Sequence, residues 1–454
     1  MKTHSTWRRF RFLVAVAWLS SPGGDTAFGL PAISVDWQRQ IGTPQDEAAT
    51  DISVDAAGNG YVAGWTAGNL NGQTNTGLRD AFQLSLDPSG GNRWTRLSGT
   101  VQDDQGQGNA AEADGTNYLI GWTREDMSGT YHGENDIFVH GFLTGGGGFS
   151  GHQWGTPSFD SGNAIGIDAP RNRYIAGQTS GNLNGQTNNG SSDAFLLKQN
   201  DSGILQWTRL LGTSGSDSAS DVAVDAAGNA TITGFTTGNL AGANAGFNDI
   251  FVARYDTNGN QQWVTQIGST FIDNAWGVGI DPLGNVYVAG EAGAAIGGQT
   301  FAGGFSDALV AKFDSSGALQ WARLLGTATD DSAQDIAVDQ FGNSYIVGWT
   351  SGSIGGPNPF GQRQTFLAKY DTDGNLKWTH QIDTPFRLEG NGIALLGNHI
   401  YIAGASYGPL VAGQWQGGID AFAMRFTQVP EPASLALLLA AGVLLLARRQ
   451  PRNT

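Results

Sequence analysis

From residue 30 to residue 428 the chain is a succession of short runs, five to eight residues long, that are alternating or wholly apolar. The runs are rich in Val, Ile, Tyr, Phe and Thr, and Gly-Asn or Asp-x-x-Gly turns separate them, which is the chemistry of strands and hairpins. No stretch of this body keeps a helical period for three turns. The runs fall into four phrases in fixed order. Trp321-Ala-Arg-Leu-Leu-Gly-Thr327 is followed by Asp335-Ile-Ala-Val-Asp339, then Gly342-Asn-Ser-Tyr-Ile-Val-Gly-Trp349, then Thr365-Phe-Leu-Ala-Lys-Tyr-Asp371. Gly374-Asn375 leads into the next copy.

Trp marks each copy, at positions 37, 94, 154, 207, 263, 321 and 378, with spacings of 57, 60, 53, 56, 58 and 57. Four strands in each of seven repeats predict an all-β fold, a seven-bladed β-propeller with four-stranded blades over residues 30–428. A β-helix would need a shorter period, and a sandwich would not repeat seven times. The units resemble the bacterial SBBP-type β-propeller repeat, whose phrase reads GxAVDxxGNxYVxG. That resemblance implies that the AVD phrase is the innermost strand and the Trp phrase the outermost. The chain opens on a lone Trp phrase (Val35 to Thr43) and ends on inner-type strands, so the Trp37 strand is expected to complete the blade built from residues 390–427. Such closure removes a free edge.

The chain has 454 residues, 69 of them Gly, with 14% charged residues and no Cys. Fourteen Trp and a hydrophobic share of 39% are enough for a packed core despite the low charge. The lack of Cys excludes disulfides, thiolate metal sites and cysteine nucleophiles. Setting aside residues 1–29 and 430–454, which hold seven basic and two acidic residues, leaves 17 basic and 38 acidic ones, a net of −21. A body this acidic repels nucleic acid and anionic lipid and favours cations.

The ends read as addresses. Arg8, Arg9 and Arg11, the apolar run Phe12 to Leu19 and the small residues around Ala27-Phe28-Gly29 form a secretory signal over residues 1–29. Near the other end, Pro430-Glu431-Pro432 precedes an apolar run from Leu435 to Ala447 and then Arg448-Arg449. A plain membrane anchor accounts for the apolar run and its basic flank. The full order over residues 429–454 also resembles the PEP-CTERM sorting signal of Gram-negative bacteria. That resemblance implies a transmembrane helix before processing, an exosortase-type processing enzyme as partner and an exopolysaccharide-producing, biofilm-forming cell.

Three recurring positions could carry chemistry. An acid about ten residues after each Trp (Glu47, Asp104, Asp160, Asp217, Asp273, Asp331 and Glu389) would form a ring of carboxylates suited to Ca²⁺, or else each acid caps its own loop through backbone N–H groups. A second set, Asp80, Asp136, Asp193, Asp249, Asp307 and Asp420, precedes the fourth phrase and is missing only from the sixth copy. Together with Asp55, Glu112, Asp168, Asp225, Asp281 and Asp339 in the hairpin turns, it reads as architecture. The third set is aromatic: Trp65, Trp122, Phe235 and Trp349 end the strands that feed Asn-rich loops such as Gly68 to Asn75. There they would stack on the sugars of a polysaccharide, or else pack between blades.

None of the six His lies near a motif, and no nucleophile elbow, HExxH or phosphate loop is present. The expectation is therefore an exported, non-catalytic propeller of the cell surface or surrounding matrix that binds exopolysaccharide or a surface protein. The alternatives are a structural biofilm protein without a ligand, or a propeller hydrolase or lyase.

Overall fold

A computed structural model describes residues 33–429. The signal segment 1–29 and the sorting residues Pro430, Glu431, Pro432, Arg448 and Arg449 lie outside the described residues. Among the described residues no helix is long and apolar enough to cross a membrane.

The strands form seven antiparallel sheets of four. Blade 1 runs through Glu47–Val54, Gly60–Thr66, Asp80–Leu86 and Asn92–Ser98. Blades 2 to 6 repeat it from Asp104, Asp160, Asp217, Asp273 and Asp331. Blade 7 takes three strands from Leu388–Leu396, His399–Ser406 and Asp420–Gln428, and its outer strand is Ile33–Ile41, with Trp37 opposite Arg425 and Ile41 opposite Ala421. The first strand therefore closes the ring, as the phase of the repeat predicts.

The two middle strands of each blade are buried on both faces, as in Gly60–Thr66 and Asp80–Leu86. That is why their phrases read as near-continuous apolar runs rather than alternating ones. The core is a set of clusters between adjacent blades. Tyr174, Ala176 and Leu196 of blade 3 pack on Val222, Ile232 and Phe251 of blade 4, while Trp37, Tyr401 and Ala403 meet Ile52, Val62 and Phe82 where the ring closes. Each large side chain so buried contributes about 1.5–3 kcal/mol. The glycine that ends the GxAVD…YVxG phrase is required by close approach: a Cβ on Gly64 would lie 2.1 Å from the Ala48 carbonyl oxygen.

The repeating Trp is a clasp between blades. The Trp37 indole N–H donates to the Pro88 carbonyl (3.1 Å), and its ring lies against Gly90 in the last turn of blade 1. Trp94, Trp207, Trp263 and Trp321 do the same to the following blade. Trp154 does not belong to the series. Trp94 pairs with Ser85, and the residue in that register of blade 2 is Ser150, opposite Gly141. Trp154 sits four residues further along, opposite Ile137, which explains the short spacing of 53. In blade 2, His152 packs on Gly203 instead and stacks on Trp154 (5.7 Å between centroids), while Phe149 meets Tyr118 edge-on.

Candidate functional site: blade junctions and the central channel

The acids at the head of each inner strand cap loops. Glu47, Asp104, Asp160, Asp217, Asp273 and Asp331 are all fully buried. Each accepts the backbone N–H four residues earlier, for example Thr43 to Glu47 (2.5 Å) and Thr327 to Asp331 (2.6 Å), and a hydroxyl from the same residue. Glu47, Asp104, Asp160 and Asp331 also receive a threonine hydroxyl from the next strand. Glu389 is not the seventh member: Leu388 occupies that register, opposite Ser406, and Glu389 pairs with Arg363 (2.9 Å) and Arg387 (2.6 Å). Among the described residues no three His, Cys, Asp or Glu side chains cluster as metal ligands.

The second acid set completes the junctions. The carboxyl of Asp193 lies against Gly212, and that of Asp217 takes the N–H of the next residue, Thr213 (2.6 Å). Two carboxyls from neighbouring blades thus share one loop. The same arrangement joins Asp80 with Asp104, Asp136 with Asp160, Asp249 with Asp273, Asp307 with Asp331, and Asp420 with Glu47. The loop glycine is obligatory, since a Cβ on Gly42, Gly99, Gly155, Gly212, Gly268 or Gly326 would come within 2.2 Å of the aspartate. Burial, then repulsion from the partner acid, pushes Asp273 and Asp420 up to about 6 and also raises Asp80, Asp160, Asp193 and Asp331. At the seventh junction all three residues change together: Gln364 replaces the aspartate, Leu388 the capping acid and Asp383 the glycine.

The hairpin aspartates are turn caps, as expected. Asp55 accepts from the N–H of Ala57 (2.9 Å) and Asn59 (2.8 Å), with Gly58 at φ 85°. Asp168, Asp225, Asp281 and Asp339 also cap their turns through the Asn four residues on, whereas Glu112 pairs with Arg171.

The central channel is where unlike side chains converge. Every inner strand carries a register shift at the same place, between Ala49 and Asp51 in blade 1 and between Gly390 and Gly392 in blade 7. A bulge turns one side chain away from the ladder. The bulged residues are Thr50, Gln107, Asn163, Ser220, Trp276, Gln334 and Asn391, of which Thr50, Asn163 and Asn391 donate to carbonyls of the adjacent blade at Gly106, Ala219 and Ala49. All seven line one cavity of about 500 Å³ with Gln178 and Phe235. The Trp276 ring lines the cavity, while its indole Nε1 is shielded from solvent and has no hydrogen-bond partner.

Three carboxyls line the same cavity. Asp51, Asp221 and Asp335 each accept their neighbour's N–H on one oxygen and an N–H of the next blade on the other, from Asn109 (2.8 Å), Val278 (2.7 Å) and Ile393 (2.8 Å). They staple blades 1 to 2, 4 to 5 and 6 to 7. Burial pushes all three upward, and mutual repulsion adds to this for Asp221 and Asp335.

Of the aromatic candidates, Phe235 reaches the channel cavity. Trp65, Trp122 and Trp349 are half-buried one strand out, each under a guanidinium: Arg79 at 4.9 Å, Arg124 at 5.4 Å and Arg363 at 3.8 Å from the ring centroid. The Asn side chains of the adjoining loops are engaged in hydrogen bonds within the protein. Asn71 donates to Thr95, Asn75 to the Thr66 carbonyl, and Asn69 accepts the Asn75 N–H. Sequence reasoning missed the bulge residues, whose only common property is their place beside a backbone irregularity.

The repeat units match a known family. Residues 36–71, 206–241, 262–297 and 320–356 match the family described as SBBP: Beta-propeller repeat. Regulatory protein FlaEY of Caulobacter vibrioides is 33% identical over 181 residues, which cover 37% of this chain and 19% of that protein. The chain thus spans about a fifth of the length of that relative. Among solved structures, YCF48 bound to D1 peptide is similar over 88% of this chain and 99% of its own, at 12% identity and a TM-score of 0.44. A PL25 ulvan lyase is similar over 84% and 95%, at 11% identity and a TM-score of 0.48. The seven four-stranded blades make this chain a β-propeller, four segments of which match that repeat family.

Proposed function

We propose that this chain is an exported, non-catalytic binding propeller that holds a polar, uncharged ligand at its channel, and that the ligand is a sugar unit of an exopolysaccharide. The reading rests on one observation, the channel cavity. It combines amide and hydroxyl side chains from six blades with the Phe235 and Trp276 rings. Hydroxyls need donors and acceptors together, and the apolar faces of sugar rings stack on aromatic rings. Its volume of about 500 Å³ lies in the usual range for small-ligand sites, ~300–1,000 Å³. Export by the 1–29 segment, and sorting through Pro430-Glu431-Pro432 by an exosortase-type enzyme, belong to the same proposal and would deliver the ring to the envelope surface.

A hydrolase or lyase reading draws on the raised carboxyls of Asp221 and Asp335 in the cavity. Against it, both oxygens of each carboxyl already accept backbone N–H groups, which suits a staple better than a proton shuttle. Co-sedimentation of residues 30–429 with exopolysaccharide from the producing strain tests the two together. Saturable binding without new reducing or unsaturated ends is the expected result. Appearance of such ends would establish an enzyme, and no binding would leave a purely structural role.

A further inference from the structure

One blade junction has exchanged its apolar filling for polar groups. Between blades 4 and 5, Val252, Ile267, Ala311 and Ala322 pack in a single cluster. The residues in the same registers between blades 1 and 2 are Gln83, Ser98, His140 and Gly151. In the other six blades the place of His140 holds Leu, Ala or Met. Gln83 is fully buried, and neither atom of its amide has a partner. His140 is the centre of the group. Its Nδ1 meets Ser98 Oγ (2.8 Å), and its Nε2 is hydrogen-bonded to Oγ of Ser128 in the long loop of blade 2. The loop residue in that position of blades 1 and 3 is Asn71 or Asn184, whose amide donates to a threonine hydroxyl, Thr95 or Thr208 (3.0 Å in each). Gly151 stands in the threonine place, opposite His140. A Cβ there would lie 2.7 Å from Ser128 Oγ, so the missing side chain is what lets the serine reach the imidazole. Gly151 is exposed and Ser128 half-buried, which puts the pair just beneath the surface at the outer rim of the ring.

A hydroxyl bonded to one imidazole nitrogen, with the other nitrogen held by a third group, is the arrangement of an activated serine. We propose that Ser128 is a nucleophile toward short acyl esters, with His140 as its general base and Ser98 as the residue that holds the ring. With the Nδ1–H donated to Ser98, Nε2 takes the Ser128 proton as Oγ bonds to the ester carbonyl carbon, and the alcohol leaves with that proton. Water then gives a proton to Nε2 and attacks the acyl-serine, and the proton returns to Ser128 Oγ as the carboxylic acid departs. The acyl group is short because it must fit beside Oγ, in the room that a threonine fills in blades 1 and 3. Burial lowers His140 to about 4, so the ring is neutral and can accept the proton at neutral pH. So weak a base makes a slow reaction, and covalent capture is therefore the more sensitive readout. The site is independent of the channel ligand.

The described ring contains every strand of its own fold, so residues 30–429 suit the test. A fluorophosphonate probe should label the wild type at one residue, Ser128 by peptide mass mapping, and p-nitrophenyl acetate should release nitrophenolate. Ser128→Ala should abolish both reactions at unchanged melting temperature. His140→Leu, which installs the residue found at that place in blades 1 and 3, should slow both by about a hundredfold while the ring stays folded. A wild type that takes no label, a label on another residue, or a Ser128→Ala or His140→Leu protein that reacts like the wild type overturns the proposal. If His140→Leu fails to fold, the position of the label and the Ser128→Ala rates decide by themselves.

Discussion

Gln364 and Thr384 exchange two hydrogen bonds across the junction of blades 6 and 7: the Gln364 amide oxygen accepts the Thr384 N–H (2.8 Å), and its NH₂ group donates to the Thr384 carbonyl (3.0 Å). One neutral side chain here replaces what two acids do at each of the other six junctions. With no aspartate against the loop, the glycine is no longer needed and Asp383 fits. The inner-strand acid has no loop N–H left to cap, and the apolar Leu388 takes its place. Gln364→Asp should therefore destabilise the ring by about 2–3 kcal/mol, since it buries a carboxyl near Asp383 and leaves the Thr384 carbonyl without its donor. Adding Asp383→Gly and Leu388→Asp should recover most of that loss in urea denaturation. A single variant as stable as wild type would show that the junction does not depend on the exchange.

The loop glycines give a second expectation. Gly326→Ala would place a Cβ 2.1 Å from Asp307 Oδ1 and should cost about 2–4 kcal/mol, because the carboxyl and its loop are both fixed. Gly145→Ala, with nothing within 4 Å, should change stability little. Equal melting temperatures for the two variants would remove the close-approach account.

Acid should stabilise the ring over a defined range. Asp273 and Asp420 titrate near 6 in the folded chain against 3.8 ordinarily, so the folded state binds more protons between those values. Stability therefore rises as pH falls through 6 toward 4, and relief of repulsion among the −21 net charges acts in the same direction. His140, His152 and His380 oppose this: burial lowers all three, His140 from 6.5 to about 4, so their contribution is lost as pH falls below 6.5. The raised acids outnumber these three imidazoles, which predicts a higher melting temperature at pH 5 than at pH 7.5. A flat or falling profile would show that the acid pairs are not strained by burial.

The clasp distinguishes true repeat tryptophans from the displaced one. Trp94→Ala should destabilise by about 3–5 kcal/mol, since the ring is 8% exposed and bonded to the Thr144 carbonyl. Trp154→Ala should cost less than half of that, because Trp154 is half-buried and spans no blade junction through its indole N–H. Equal losses in chemical denaturation would contradict the register that places Ser150 in the clasp position.

The fold was legible because a repeat writes the same physical solution seven times, so strand phrases, turn caps and the phase of closure reinforce one another. The displaced Trp154 was read as equivalent because spacing alone does not reveal register. Pairing of Asp193 with Asp217 was hidden for another reason: residues 24 apart in sequence belong to different blades, and each alone looks like local turn chemistry. The channel lining was the least legible part. Gln107, Ser220 and Trp276 share no side-chain type, and only the backbone bulge brings them to one place.

The most direct test of the channel account is a binding isotherm of residues 30–429 with soluble fragments of the producing strain's exopolysaccharide, measured beside Trp276→Ala. That substitution removes from the cavity the aromatic face on which a sugar ring would stack. The account predicts saturable binding for the wild type and at least tenfold weaker binding for the variant, at unchanged melting temperature. Equal affinity in the two proteins, or no saturable binding by either, would contradict it.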